Sequence, residues 1–206
     1  MKTLSLAGAL SALLIAAAGT PQATAQVSSA DPAAVKAGAY KVDAYHTQVG
    51  FSISHFGFTD YSGLFSGATG TLQLDAANPG ASKLAVAIPV QSIQTTVPKL
   101  TEELKGEKWF DATKYPTASF TSTQVIRTGA DTATIVGELT LHGVTKPVTL
   151  KAHLVGSGVN PLSKAVTAGF SATGVIKRSE FGVSQYLPLI GDEVQLTIAG
   201  AFELQP

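Results

Sequence analysis

From Tyr40 onward, apolar and polar side chains alternate with a period of two in one short segment after another. The segments are rich in Thr, Val, Ile and Phe, and Gly, Pro or Asn-Pro separates them. This pattern is typical of antiparallel strands that bury one face. The predicted strands cover residues 40–55, 61–75, 82–92, 117–128, 132–141, 147–158, 165–178 and 193–204.

Eight antiparallel strands in meander order predict an all-β fold, an eight-stranded β-barrel. One segment departs from the alternation. In Pro98–Lys105, Leu100 and Leu104 are spaced four apart and Gly106 follows, so we expect one short helix in the loop after the third strand.

The apolar face that every predicted strand carries must be covered, because water disfavours exposed apolar surface. A filled core, a second layer or a ligand would each cover it. Small residues such as Gly137, Ala152 and Gly174 lie on the same face, where they leave room or fit the taper of a tight barrel. The pattern alone leaves open whether the barrel is filled or hollow.

The first residues have the features of a signal peptide. Lys2 precedes an apolar stretch from Leu4 to Ala18, which is too short to span a bilayer, and Ala23-Thr24-Ala25 offers a cleavage site. We expect three parts: a signal peptide over 1–25, a flexible arm over 26–39, and a barrel domain over 40–206. With no second apolar segment, we expect a periplasmic protein without stable membrane insertion.

Composition narrows the function classes. Lys and Arg total 14 and Asp and Glu total 14, so no basic face invites nucleic acid. The chain has no Cys, and its four His residues show no zinc-site spacing, so we expect no metal, no cofactor and no catalytic residues. We expect His46 to bond with Asp43 in a turn, and His142 and His153 to face solvent.

Several separated blocks resemble the YceI-like family, the polyisoprenoid-binding periplasmic proteins with a lipocalin-like barrel. The similar blocks are Tyr40–Gly57, Gly63–Phe65, Ser92–Thr95, Trp109–Pro116, Gly137–Val148 and Arg178–Gly182, all in order. The resemblance implies that the lipocalin-like barrel is hollow and holds an isoprenoid or a similar long-chain lipid as cargo. It also implies that two barrels can pair into a homodimer, and it does not identify the lipid head group.

The candidate lipid-binding residues combine the predicted interior face with residues near its ends. They are Val49, Phe51, Ile53, His55, Leu72, Leu74, Leu84, Val86, Ile88, Trp109, Phe110, Phe120, Leu139, Leu150, Phe170, Ile176, Arg178 and Ile198.

Some of these candidates have two interpretations. His55 points either into the barrel mouth or to solvent, and Arg178 contacts either a head group or a carboxylate such as Glu180. Trp109 and Phe110 lie in an aromatic loop segment that would plug one end of the barrel, which is compatible with contact to lipid.

The alternation also places two polar residues among apolar ones. Ser122 and Gln124 share parity with Phe120 and Ile126 and could bind a head group or a buried water.

Two other function classes remain open at this point. One is an exported hydrolase or lipid-modifying enzyme that uses the barrel cavity, although the sequence has no G-x-S-x-G motif. The other is a structural or adhesive exported domain without a ligand. Lipid carriage without catalysis is the preferred hypothesis.

We predict that the exported protein begins at Gln26 and carries no lipid anchor. Intact-mass measurement of protein isolated from the periplasm should give the mass of residues 26–206. A mass that retains residues 1–25, or that includes a diacylglycerol adduct, would contradict this prediction.

Overall fold

The predicted strands are present in the computed structural model, which describes residues 27–206. The proposed signal peptide and its cleavage before Gln26 lie outside these residues. In chain order, the strands and the helix are β1 (Ser28–Ser29), β2 (Gly38–Val42), β3 (Gln48–His55), β4 (Thr59–Phe65), β5 (Thr69–Leu74), β6 (Lys83–Pro89), α1 (Pro98–Lys105), β7 (Thr117–Arg127), β8 (Thr132–Leu141), β9 (Val144–Val159), β10 (Val166–Lys177) and β11 (Ile190–Leu204).

The sheet closes into a barrel of eight antiparallel strand positions. β2 and β3 both pair with β11 and lie end to end along it, and β4 and β5 lie end to end on the next position. From β5 the order continues through β6, β7, β8, β9 and β10 back to β11. The predicted eight-stranded antiparallel barrel, with one short helix after its third strand, is confirmed.

The first predicted strand, 40–55, is interrupted between β2 and β3. Asp43 forms a turn there: its carboxylate accepts a hydrogen bond from the backbone N–H of Tyr45 at 3.0 Å and contacts His46 Nδ1 at 2.6 Å. The buried Thr47 hydroxyl then bonds to both backbone groups of Ala201. A side chain thus replaces ladder hydrogen bonds where the strand bends.

A β-bulge at Thr123 changes which side chains of β7 face inward. Ser122 is buried before the bulge, whereas Gln124 is exposed and Val125 turns inward after it. Two consecutive residues oppose one on β8, so the alternation shifts by one position. The predicted placement of Gln124 and Ile126 in the interior is therefore wrong.

Ser122 does lie inside, but its hydrogen bond is made to the protein. Its hydroxyl oxygen accepts from the backbone N–H of Leu84 at 2.8 Å. This contact gives the buried hydroxyl oxygen a hydrogen-bond partner within the protein.

Some of the space left by interior glycines is filled by neighbouring side chains. A Cβ on Gly137 would overlap the ring of Phe120, and a Cβ on Gly174 would lie 2.7 Å from Leu150 Cδ2. The large side chain therefore packs over the glycine of the adjacent strand. At these positions small residues permit close packing rather than enlarge a cavity.

One end of the barrel is closed by the long β6–β7 connection and the β10–β11 loop. Trp109 and Phe110 of the first loop pack with Val183 of the second, and the Phe65 and Phe110 rings meet edge to face at 5.6 Å. We call this cluster the plug; its residues are Phe51, Phe65, Ile93, Leu100, Leu104, Trp109, Phe110, Val183 and Ile190.

Arg178 holds the β10–β11 loop against the plug. It is 4% exposed, and its guanidinium donates to the carbonyl oxygens of Gly191 (2.8 Å), Val183 (2.9 Å), Ile190 (2.9 Å) and Gln185 (3.0 Å). The guanidinium also lies 5.7 Å from the centre of the Trp109 ring. Contact with a lipid head group would require it to abandon these bonds.

Neither of the two interpretations of Arg178 is correct, since carbonyl oxygens rather than Glu180 or a head group receive its hydrogen bonds. Burial lowers the pKa of Arg178, and the nearby Asp192 opposes that shift. Burial raises the pKa of Asp192, but two hydrogen bonds from Ser179 and the charge of Arg178 bring it below its ordinary value. The loop is therefore held by fixed charges and well-formed bonds.

Two other histidines also have structural partners. His142 Nδ1 lies 3.1 Å from the carbonyl oxygen of Phe181, and its ring packs against Tyr115 at 4.5 Å, so the expectation that His142 faces solvent is wrong. His55 is exposed at the end of β3 and packs edge to face on Phe56. It therefore points to solvent and away from the cavity.

Within residues 27–206, no helix has the length and apolar character needed to cross a membrane.

We predict that Arg178→Lys lowers the free energy of unfolding by about 2–4 kcal/mol. A lysine cannot reproduce the planar fork of donors, and each buried carbonyl oxygen left without a partner costs about 1–3 kcal/mol. Urea denaturation followed by circular dichroism measures the change. The matched control is Arg127→Lys, because Arg127 also donates to two carbonyl oxygens but is exposed. If the two variants lose the same free energy of unfolding, the conclusion that Arg178 holds the β10–β11 loop is contradicted.

Candidate lipid-binding cavity

A cavity of about 250 Å³ lies inside the barrel, on the side of the plug where the interior is not filled. At its deep end lie side chains such as Leu139 and Val148. At its other end, which we call the mouth, lie the β5–β6 loop, the β7–β8 turn and the segment that contains Pro32 and Val35. The cavity is a tube with one closed end and one end near solvent.

Most of the candidate residues from the central parts of the strands line this tube. Several of them, including Val49, Val86 and Ile198, point inward and are only partly buried, because the surface they expose faces the cavity. The candidate residues that line it are Val49, Leu72, Leu74, Leu84, Val86, Ile88, Phe120, Leu139, Leu150, Phe170 and Ile198.

The other candidates lie at the plugged end or outside the tube. Ile53 packs against the core cluster that contains the buried Ile176, and Phe51 contacts both that cluster and the plug. Trp109 and Phe110 form part of the plug, and Arg178 supports it. His55, the last of the candidate residues, is exposed. Strand alternation identified the correct face but not the depth along the barrel axis.

The sequence interpretation missed two kinds of cavity residue. Leu154, Leu196 and Phe202 line the tube and have the same period-two signal as the chosen candidates, so the pattern could have identified them. Val125 lines it because of the β7 bulge, which the alternation does not indicate.

The segment expected to be a flexible arm, 26–39, also contributes to the cavity. Its described part pairs with β9 through β1, forms a short 3₁₀ helix at Pro32–Ala34 and enters the barrel as β2. Pro32 and Val35 line the mouth. The segment therefore rests on the barrel, which its small, polar composition did not indicate.

The tube is deep enough for a substantial piece of a hydrocarbon chain. On β9, Val148 and Leu154 line it at opposite ends. Six residue steps of about 3.3 Å, inclined by about 40° to the barrel axis, give a depth of roughly 15 Å. An extended chain that advances about 1.25 Å per carbon would place about twelve chain carbons in that depth.

Polar groups are concentrated at the mouth. His153 Nε2 lies 3.2 Å from a carboxylate oxygen of Asp131, and both side chains are partly exposed, so His153 has a partner as well as contact with solvent. Lys83, Arg127 and Asp75 also border the mouth. Charges of both signs therefore surround the opening, while the deeper lining is apolar.

The residues that the structure describes offer no arrangement suited to a metal ion. Among residues 27–206, no group of three or more His, Asp or Glu side chains is placed to bind one. The chemistry of the cavity is thus that of an apolar tube with a polar rim, which can enclose an apolar chain and leave a polar end near water.

Comparison with known proteins agrees with this architecture. A YceI-like domain model matches residues 40–202. Protein YceI of Shigella flexneri is 41% identical over 162 residues, which cover 78% of this chain and 84% of that protein. Protein YceI of Escherichia coli O157:H7 is 40% identical over the same length and with the same coverage.

Solved structures show the same fold. The Campylobacter jejuni YCEI protein has a TM-score of 0.65 at 27% identity and covers 75% of this chain and 91% of its own. Burkholderia cenocepacia BcnA has a TM-score of 0.70 at 24% identity, with coverages of 78% and 98%. A polyisoprenoid binding domain from Saccharophagus degradans has a TM-score of 0.61 at 16% identity, with coverages of 82% and 100%. The extent of the domain match and the identity to the YceI proteins show that this chain belongs to the YceI-like family.

Proposed function

We propose that this protein is a periplasmic carrier that encloses the apolar chain of a long-chain amphiphilic lipid in its barrel. The cargo would be a polyisoprenoid, such as an isoprenoid quinone or a polyprenyl compound. The observation that carries the proposal is the apolar tube, which is closed at one end by the plug and has a polar rim at the other.

The shape of the tube favours a chain over a compact ligand. Apolar side chains of β3 and of β5 to β11 surround a narrow space that follows the barrel axis. A flexible hydrocarbon chain can fill such a space from end to end, whereas a bulky ligand would have to separate the strands. A polar head group would then remain at the mouth.

The hydrophobic effect supplies the affinity in this proposal. Burying about twelve chain carbons at about 0.8 kcal/mol each gives roughly 10 kcal/mol before the entropic cost of association. The tube therefore needs no charged partner deep inside to retain a lipid. This agrees with a deep lining made of residues such as Val86, Leu150 and Ile198.

The family and the fold support the choice of a polyisoprenoid. The chain belongs to the YceI-like family, and the Saccharophagus degradans domain that shares the fold is described as polyisoprenoid binding. Binding is favoured over catalysis because the deep lining in the described chain consists of apolar side chains, which cannot act as nucleophile or base. The periplasmic location in this proposal rests on the signal peptide that the sequence predicts over residues 1–25.

We predict that Leu150→Glu abolishes lipid co-purification while Lys151→Glu leaves it unchanged. Leu150 is 6% exposed and lines the tube, whereas the adjacent Lys151 is exposed on the outer face of the same strand. A carboxyl group beside the hydrocarbon chain costs several kcal/mol, so the bound lipid should fall by more than tenfold. Organic extraction followed by mass spectrometry measures the lipid per mole of protein.

A second variant keeps this test valid if Leu150→Glu fails to fold. Ile198→Trp would place a larger apolar side chain in the tube without introducing charge, so the barrel should keep its melting temperature and lose its cargo. Thr197→Trp, on the outer face, is the matched control. If a folded Ile198→Trp protein carries as much lipid as its control, the tube is not the binding site.

A further inference from the structure

The described part of the N-terminal arm crosses the mouth of the tube. β8 pairs with one edge of β9 as far as Thr132 and His153, while β10 pairs with the other edge. Beyond His153, β1 pairs with the edge that β8 no longer covers, at Ser157 and Gly158. β1 therefore occupies the position of β8 at this end of the barrel. We call residues 28–37, which connect this position to β2, the N-terminal strap.

The two ends of the strap are on opposite sides of the barrel. Around the eight strand positions, β2 is four positions away from β8 in either direction. The strap must therefore span the width of the mouth to reach β2. Pro32 and Val35, near its middle, line the cavity, and Val35 is 9% exposed.

Local hydrogen bonds give the strap a defined shape. Asp31 begins the 3₁₀ helix, and its side chain accepts a hydrogen bond from the backbone N–H of Ala33 at 2.9 Å. At the β2 end, the hydroxyl of the fully buried Tyr40 donates to the carbonyl oxygen of Lys36 at 2.7 Å. The strap is thus anchored firmly where it joins the barrel wall.

Its other end is held by a much smaller contact. β1 consists of two residues, and its sheet pairing is limited to Ser28 with Gly158 and Ser29 with Ser157. Segments held by so few backbone hydrogen bonds open at a small fraction of the global unfolding free energy. Release at β1 would leave the pairing of β9 with β8 and β10 intact.

The sequence of β9 fits the strap. A Cβ on Gly158 would overlap the carbonyl oxygen of Val27, and a Cβ on Gly156 would lie 3.0 Å from Ser28 Oγ. Glycine at both positions lets the β1 backbone approach β9 closely. These two glycines, on a strand that otherwise carries larger side chains, are explained by the strap.

We propose that the N-terminal strap is a gate that completes the cargo site and must release from β9 before lipid can enter or leave. This inference rests on the proposed carrier function. With the strap in place, Pro32 and Val35 cover the mouth above the apolar lining. A chain longer than the roughly twelve carbons that fit the tube contacts the strap, so the strap affects both exchange and the chain lengths that are retained.

A reversible crosslink tests the gate directly, because the chain has no cysteine of its own. Ser29 and Ser157 are directly opposed in the β1–β9 pair. Opposed residues of an antiparallel pair have Cα atoms about 4.5–5.5 Å apart, which suits a disulfide. The double variant Ser29→Cys with Ser157→Cys should therefore lock the strap when oxidised and free it when reduced.

The probe is all-trans-retinol, a fluorescent isoprenoid alcohol, added to delipidated protein in stopped-flow measurements. We expect the oxidised double variant to take up and release retinol at least tenfold more slowly than the same protein after reduction. The reduced protein should match wild type. The single variant Ser29→Cys should exchange retinol at the same rate under both conditions, and mass spectrometry of the intact protein verifies the disulfide.

An independent variant opens the gate instead of locking it. Gly158→Val should displace β1 and accelerate retinol release severalfold, with the melting temperature close to that of wild type. The matched control is Gly169→Ala on β10, where a Cβ would lie 3.7 Å from its nearest neighbour and is accommodated. The control should release retinol at the wild-type rate.

The two possible failures are distinguishable. If retinol binds but exchanges at equal rates in the oxidised and reduced double variant, or if Gly158→Val releases it no faster than the control, the gate is wrong and the carrier function stands. If neither wild type nor any variant binds retinol or an isoprenoid quinone, the proposed function itself is contradicted.

Discussion

The structure depends on one constraint: the inward face of a closed sheet must be covered by something apolar. Each barrel strand sends every second side chain inward. Exposing that apolar face to water costs free energy. At the plugged end, aromatic rings from the loops cover it. In the tube, the described protein atoms leave about 250 Å³ for another molecule. In the proposed function, the bound lipid completes the burial that the barrel begins.

The two ends of the barrel are held by interactions of very different strength. The buried Arg178 ties the β10–β11 loop to the plug through four carbonyl oxygens. The strap is tied to β9 by two residue pairs at Ser28 and Ser29. This asymmetry is what the proposed gate requires: a plugged end that stays closed, and a strap that releases so that lipid enters and leaves by one route.

The sequence alone predicted the number of strands, their direction and the inward face, because period-two alternation reports these directly. It could not predict depth along the axis, so Phe51 and Leu150 looked equivalent although only Leu150 lines the tube. The bulge at Thr123 depends on the pairing with β8 and left no mark in the pattern. Arg178 and the strap were misjudged for a related reason: their partners are backbone groups, and backbone groups carry no sequence signal. The partners of Arg178 lie 5 to 13 residues further along the chain, and those of the strap lie on the distant strand β9.

The central claim is that an apolar chain occupies the tube, and a crystal structure of the protein purified with its native lipid tests it most directly. The account predicts continuous, elongated electron density between Leu84, Leu150 and Ile198, with the polar end of the molecule near Pro32 and Val35 at the mouth. Density for the lipid at the plug or on the outer surface, with protein side chains filling the tube, would contradict it.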